Sequence, residues 1–194
     1  MSLTFTKLHP LFMAQVSPVD LRTSDEDTLA ELRAGMDEYA VLVIPNQPFT
    51  DADQLAFAQR FDGVLHAKTG SAVITKSRLG NEALSDISNL DENGEVMQTS
   101  DRRRMYALGN RLWHTDASFE NPCGRYSMLH ARVVPPVPAD TEFADMRAAW
   151  DTLPPALQAR CEGLMVHHSI AFSRQTLGFE FSDEEAERLW GAVH

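Results

Sequence analysis

The run Ala40-Val41-Leu42-Val43-Ile44, stopped by Pro45, sets the tightest limit on how this chain can fold. It has no polar face, so it reads as a central strand buried on both sides. Helical patterns flank it. Ser24 with Asp27 three residues on approximates a capping box, Asp standing where Glu is preferred. Leu29, Leu32 and Met36 then recur at helical spacing up to about Tyr39. Thr50 caps a second helix in which Leu55, Ala58 and Phe61 share one face. Short extended segments at Phe5–Lys7 and Ala14–Val16 precede both helices.

Beyond Gly63 the pattern turns to loops and strands. Residues 63–81 read as a long loop with a short strand at Ala72–Thr75, and loops of that length inside a domain often bind or cover something. Leu84–Ser88 alternates as a strand, Asn93-Gly94 signals a hairpin turn before Val96-Met97, and residues 99–109 read as another loop. Strands are predicted at Trp113–Asp116, Tyr126–Val134 (ended by Pro135-Pro136), Thr141–Met146 and Met165–Phe172. A helical stretch broken at Pro154-Pro155 places Leu157, Cys161 and Leu164 on one face, and Ser182 with Glu185 forms a capping box for a final helix. Strands mixed with a few helices, without strict βαβ alternation, predict one α+β domain over residues 1–194, with a largely antiparallel sheet or jelly roll.

A net charge of −11 argues against a nucleic-acid binder; the cluster Arg102-Arg103-Arg104 reads as a solvated loop, with a phosphate or carboxylate site as the alternative. Cys123 and Cys161 make neither a disulfide framework nor a cysteine metal site, and both read as small buried hydrophobes. The N-terminus lacks the pattern of a signal peptide and no window suits a membrane span, so the expectation is a soluble cytoplasmic protein. A homo-oligomer is compatible with all of this.

The chemistry is concentrated at His114-Thr115-Asp116. On a strand, residues two apart point to one face, so this imidazole and carboxylate can reach one ion together. Nitrogen and carboxylate oxygen suit a divalent first-row metal such as Fe(II), and leave open positions for other ligands. The competing reading is a polar surface strand or a simple His–Asp hydrogen bond. With 7 His in the chain, about half of such sequences would hold one His-x-Asp by chance.

The neighbours decide between them. Asn110-Arg111-Leu112-Trp113-His114-Thr115-Asp116-Ala117-Ser118-Phe119, then Arg125-Tyr126-Ser127-Met128-Leu129, Val133-Val134-Pro135-Pro136 and Thr141-Glu142-Phe143-Ala144-Asp145-Met146-Arg147-Ala148-Ala149 follow one another in order. Together with Leu8–Phe12, Val19–Arg22, Asp86–Asn89, Ser173-Arg174 and Leu177-Gly178, they resemble the taurine/2,4-dichlorophenoxyacetate dioxygenases across nearly the whole chain, most closely the 2,4-dichlorophenoxyacetate branch. The resemblance implies a double-stranded β-helix (jelly roll, as in clavaminate synthase) and an enzyme dependent on Fe(II), 2-oxoglutarate and O2. It implies that His114 and Asp116 are metal ligands and that the Thr141 hydroxyl hydrogen-bonds the 2-oxoglutarate carboxylate. The implied reaction is hydroxylation beside the ether oxygen of an aryloxyalkanoate such as 2,4-dichlorophenoxyacetate, with release of succinate and CO2. The alternatives are a taurine or sulfonate dioxygenase, or an inactive remnant with a binding or structural role.

The pattern also breaks. The family's third ligand, a distal His, and an Arg for the far carboxylate of 2-oxoglutarate have no counterpart here. His194 has no motif around it, and His167-His168 reads as packed strand histidines, with a role in lining the pocket as the alternative. The expectation is therefore the N-terminal two thirds of such an enzyme, inactive alone. The substrate is expected to be a small organic anion, for which Lys68, Lys76 and Arg78 are the candidate cations.

Overall fold

The structure, a computed structural model, describes residues 2–66 and 78–189. Two compact units divide the chain: residues 1–63 with 129–164, and residues 64–128 with 165–194.

The first unit is built on a three-stranded sheet of order β1-β2-β3, with β1 Phe5–Lys7, β2 Ala14–Val16 and β3 Leu42–Val43. β1 and β2 are antiparallel, Phe5 opposite Val16; β3 is parallel to β2, Leu42 opposite Ala14. A parallel neighbour needs a crossover, and helix α1 (Glu26–Tyr39) supplies it. Asp25 is its N-cap, accepting the Thr28 N–H at 2.8 Å, one residue after the expected Ser24. Ser24 instead closes the preceding turn, its hydroxyl donating to the Asp20 carbonyl at 3.2 Å. Leu29 and Leu32 are fully buried, as their spacing predicts. Gly35 lets α1 approach β1: a Cβ there would stand 2.4 Å from the Phe5 ring.

The run at Ala40–Ile44 is not a buried central strand. Only Leu42 and Val43 enter the ladder, at the sheet edge, and Val43 is exposed. The central position falls to β2, whose Ala14 and Val16 are buried, because the hydrogen-bonding edge beyond β3 has no partner strand among the described residues. Helix α2 (Asp51–Asp62) has the expected Thr50 cap, completed by Asp53 as a full capping box. Its buried face is Phe57 and Phe61 rather than Leu55 and Ala58, because those rings stack 5.6 Å apart. Arg33 of α1 donates to the Phe61 and Arg60 carbonyls at 2.7 and 3.0 Å, capping the end of α2.

Several predicted strands do not form among the described residues. Tyr126–Val134 is irregular, with Leu129, Val133 and Val134 exposed; its side chains do the anchoring, Arg132 reaching the Phe49 carbonyl at 2.9 Å and Asp51 at 2.6 Å. Leu84–Ser88, Trp113–Asp116 and Thr141–Asp145 are likewise unladdered. A β-favouring sequence becomes a strand only where a second backbone takes up its N–H and C=O groups. The chain is helical at α4 (Met146–Asp151) and α5 (Pro155–Cys161), where a helical stretch is expected, and at α6 (Ile170–Gln175), which replaces the end of the strand expected at Met165–Phe172. The break at Pro154-Pro155 falls as predicted, but Leu157, Cys161 and Leu164 are exposed. Cys123 is exposed too, so neither cysteine is the buried hydrophobe expected.

The second unit gathers α3 (Arg102–Ala107), α6 and α7 (Asp183–Arg188) around a small core that includes Leu84, Met97, Tyr106 and Phe179. The loop expected over residues 99–109 is thus partly helical. Asp101 caps α3 by accepting the Arg103 N–H at 2.8 Å, a local signal that the missing apolar period obscured. Arg102 stays exposed while it binds Glu185 of α7 at 2.6 and 2.8 Å and the Glu180 carbonyl at 2.6 Å. Arg103 pairs with Asp101 and Glu92. The turn at Asn93-Gly94 forms as predicted, closed by a Leu90–Val96 bridge, with Gly94 at φ 83° where a side chain would be strained. The Ser182–Glu185 capping box of α7 is also as read from sequence.

Candidate metal centre

A 3-10 turn, Leu108–Arg111, follows α3 and delivers the chain to His114 and Asp116. The Leu112 N–H donates to the Gly109 carbonyl at 3.1 Å and ends the turn. The Leu112 carbonyl then lies 2.6 Å from His114 Nδ1. A carbonyl can only accept, so Nδ1 carries the proton and Nε2 is left as the coordinating or protonatable nitrogen. His114 Nε2 stands 3.2 Å from Asp116 Oδ1.

That arrangement contains its own test of a metal. With Nδ1 protonated and the ring neutral, an imidazole lone pair faces a carboxylate, which is unfavourable until a proton or a cation lies between them. Two donors each about 2.1 Å from one ion lie about 3.0–3.4 Å apart in octahedral or tetrahedral coordination. The observed separation of 3.2 Å falls inside that range. Both side chains are exposed, so an ion can enter without rearrangement. The donors fit a divalent first-row metal, with a backbone carbonyl orienting the histidine as such ligands require. Among the described residues no third His, Cys, Asp or Glu joins them.

The other predicted residues are placed differently. Thr141 is exposed in an irregular stretch of the first unit, just before α4, whereas His114 and Asp116 belong to the second unit. Arg78 is ion-paired to Asp86 at 2.6 Å, so a substrate anion would have to compete with that carboxylate. Lys68 and Lys76 lie outside the described residues. Within the triplet for which a carboxylate site is the lesser reading, the structure singles out Arg104. Of the three consecutive arginines it alone has a guanidinium with no hydrogen bond or ion pair among the described residues. It lines an open cavity of about 280 Å³ whose other walls include Ile87, Met97, Ala107, Leu108 and Asn110. The sequence signal available was the triplet itself, and only the helix shows which of its members is uncommitted.

Comparison with known proteins decides the lineage. The model of the taurine catabolism dioxygenase TauD, TfdA family matches residues 4–190. The chain belongs to this family. It is 44% identical over 189 residues to the alpha-ketoglutarate-dependent 2,4-dichlorophenoxyacetate dioxygenase of Cupriavidus pinatubonensis, covering 97% of this chain and 65% of that protein. It is 35% identical to the (S)-phenoxypropionate/alpha-ketoglutarate-dioxygenase of Sphingobium herbicidovorans, covering 96% of this chain and 60% of that one. A crystal structure of AAD-2 in complex with Mn(II) and N-oxalylglycine superposes with a TM-score of 0.93 at 39% identity, over 100% of this chain and 68% of the other. The chain thus spans a little under two thirds of the length of these curated relatives.

Proposed function

We propose that this chain carries the first two ligands of an Fe(II)- and 2-oxoglutarate-dependent dioxygenase acting on a small aryloxyalkanoate. The observation that carries the reading is the His114–Asp116 pair, held at a metal-compatible 3.2 Å by a backbone carbonyl, in a member of this family. The relatives named for 2,4-dichlorophenoxyacetate and (S)-phenoxypropionate support the substrate class.

His114 and Asp116 hold the metal, and Thr141 offers its hydroxyl to the 2-oxoglutarate carboxylate. With Fe(II), 2-oxoglutarate and O2 bound, the chemistry supplied is hydroxylation beside the substrate's ether oxygen, coupled to release of succinate and CO2. The protein's own task is ligation, orientation and exclusion of water. The apolar walls and lone cation of the Arg104 cavity suit the ring and carboxylate of an aryloxy acid; Lys68 and Lys76 remain further candidates for the anion. Residues 1–194 contribute to a jelly-roll domain in this reading, which the exposed Leu129, Val133 and Val134 support, since a sheet would cover such residues.

The test compares two proteins: the 194-residue chain, and a hybrid in which the final third of the Cupriavidus relative follows it. Each receives Fe(II), 2-oxoglutarate and either 2,4-dichlorophenoxyacetate or taurine. The hybrid is expected to form succinate and a phenol, and the chain alone neither. Taurine-dependent turnover would transfer the reading to sulfonates. A folded, metal-loaded hybrid that turns over neither substrate would defeat it.

A further inference from the structure

We propose that Arg174 is a positioning residue for His114, acting through the backbone of the turn that precedes it. The inference rests on the reading of His114 as a metal ligand. Three contacts connect the two residues, all within the second unit.

The guanidinium of Arg174 lies flat against Gly109, so close that a Cβ there would stand 2.0 Å from its Cζ and 2.1 Å from Nη1. The guanidinium also lies over the Tyr106 ring, 4.9 Å from Cζ to centroid. Nη2 donates to Asn110 Oδ1 at 3.3 Å and Nη1 to Ser173 Oγ at 3.1 Å. Gly109 is thereby clamped by a planar group that a lysine could not imitate. Its carbonyl accepts the Leu112 N–H at 3.1 Å, and the Leu112 carbonyl accepts His114 Nδ1–H at 2.6 Å. The position of the guanidinium therefore sets the backbone that selects the imidazole tautomer.

Arg174 holds this place at a cost. Its Nε–H is buried without a hydrogen-bond partner, a loss that an apolar side chain of similar length would not incur. Packing alone does not require an arginine here. A bare Gly109 facing a charged plane is what is needed if the turn must be fixed rather than merely filled.

The experiment is two-bond ¹H–¹⁵N NMR of the histidine rings in the 194-residue chain at pH 8, free of metal, with Mn(II) binding followed separately by EPR. The variants are Arg174→Met, Gly109→Ala and the double variant Gly109→Ala/Arg174→Ala. The expected result is that His114 holds its proton on Nδ1 in the parent chain. In Arg174→Met and Gly109→Ala it shifts toward the Nε2–H form that unconstrained histidine prefers, while amide signals from α7 stay in place. Mn(II) affinity then falls roughly 10-fold to 100-fold, the range for losing a supporting contact. If Gly109→Ala does not fold, the double variant, which removes the collision, is expected to fold and to show the shifted tautomer. An unchanged Nδ1–H tautomer in any folded variant overturns the proposal, as does a parent chain lacking that tautomer. A parent with the expected tautomer and variant shifts but no Mn(II) binding would sustain the positioning role and count instead against the metal reading.

Discussion

Replacing Tyr106 with alanine should unfold the second unit selectively, and the size of the effect can be worked from its surroundings. Tyr106 is 6% exposed, one of few large side chains buried there. Its ring meets Phe179 edge-on at 5.4 Å and Phe181 at 6.3 Å, and carries the Arg174 guanidinium on its face. Truncating a buried aromatic to alanine costs about 3–5 kcal/mol, the lost aromatic pairs included. With a urea dependence of about 2 kcal/mol per molar, 4 kcal/mol lowers the midpoint by about 2 M. That is a large part of the stability of an ordinary small domain. Hydrogen exchange read peptide by peptide under increasing urea is the assay: amides of α3, α6 and α7 should lose protection. Tyr106→Phe keeps all three ring contacts and should cost no more than about 1 kcal/mol. A Tyr106→Ala midpoint within 0.3 M (roughly 0.6 kcal/mol) of the parent would show that this ring does not hold the unit together.

Burial pushes the Tyr106 phenol up to about 12. Because its folded value lies above the unfolded one, its contribution to stability is whole below about pH 10 and is lost as pH rises toward 12, which alkaline titration of tyrosine absorbance at 295 nm will follow. Arg102 first, and then the Ser182 N–H, hold the Glu185 carboxyl down at about 2. Its depressed value means the contribution is whole above about pH 4.5 and is lost as pH falls toward 2, so Glu185→Gln should blunt the acid sensitivity of α7 amides over that window. Leu29→Ala, at a fully buried position on α1, should cost the first unit about 2.7–5 kcal/mol in urea melts. Asp116→Ala in the hybrid should weaken Mn(II) binding beyond the roughly 10-fold to 100-fold expected for losing a mere supporting group; an unchanged affinity would remove Asp116 from the metal site.

Local chemistry was legible wherever a few neighbouring residues suffice. The Thr50 and Ser182 caps, the Asn93-Gly94 turn, the Leu29–Leu32 stripe and the Pro154-Pro155 break all follow from side chains acting on backbone within one turn. The β segments were not legible in the same way. Val133 and Val134 favour a strand, yet strand formation is a property of two backbones, and these residues have no ladder among those described. The Ala40–Ile44 run failed for a related reason: composition cannot tell a central strand from one docked at an edge.

The sequence by itself determined the lineage and the donor types, since a His-x-Asp among ordered family motifs needs no coordinates to be recognised. Tertiary structure decided how those donors are held. The Nδ1–H bond to Leu112, the Gly109 carbonyl behind it and the Arg174 plane beneath join residues up to 65 positions apart, from Gly109 to Arg174. The same holds for the three arginines of α3, alike in sequence, of which two are paired with carboxylates and Arg104 lies over a cavity. Charge and donor type are carried by each residue alone, whereas tautomer, orientation and availability depend on what the rest of the chain places beside it.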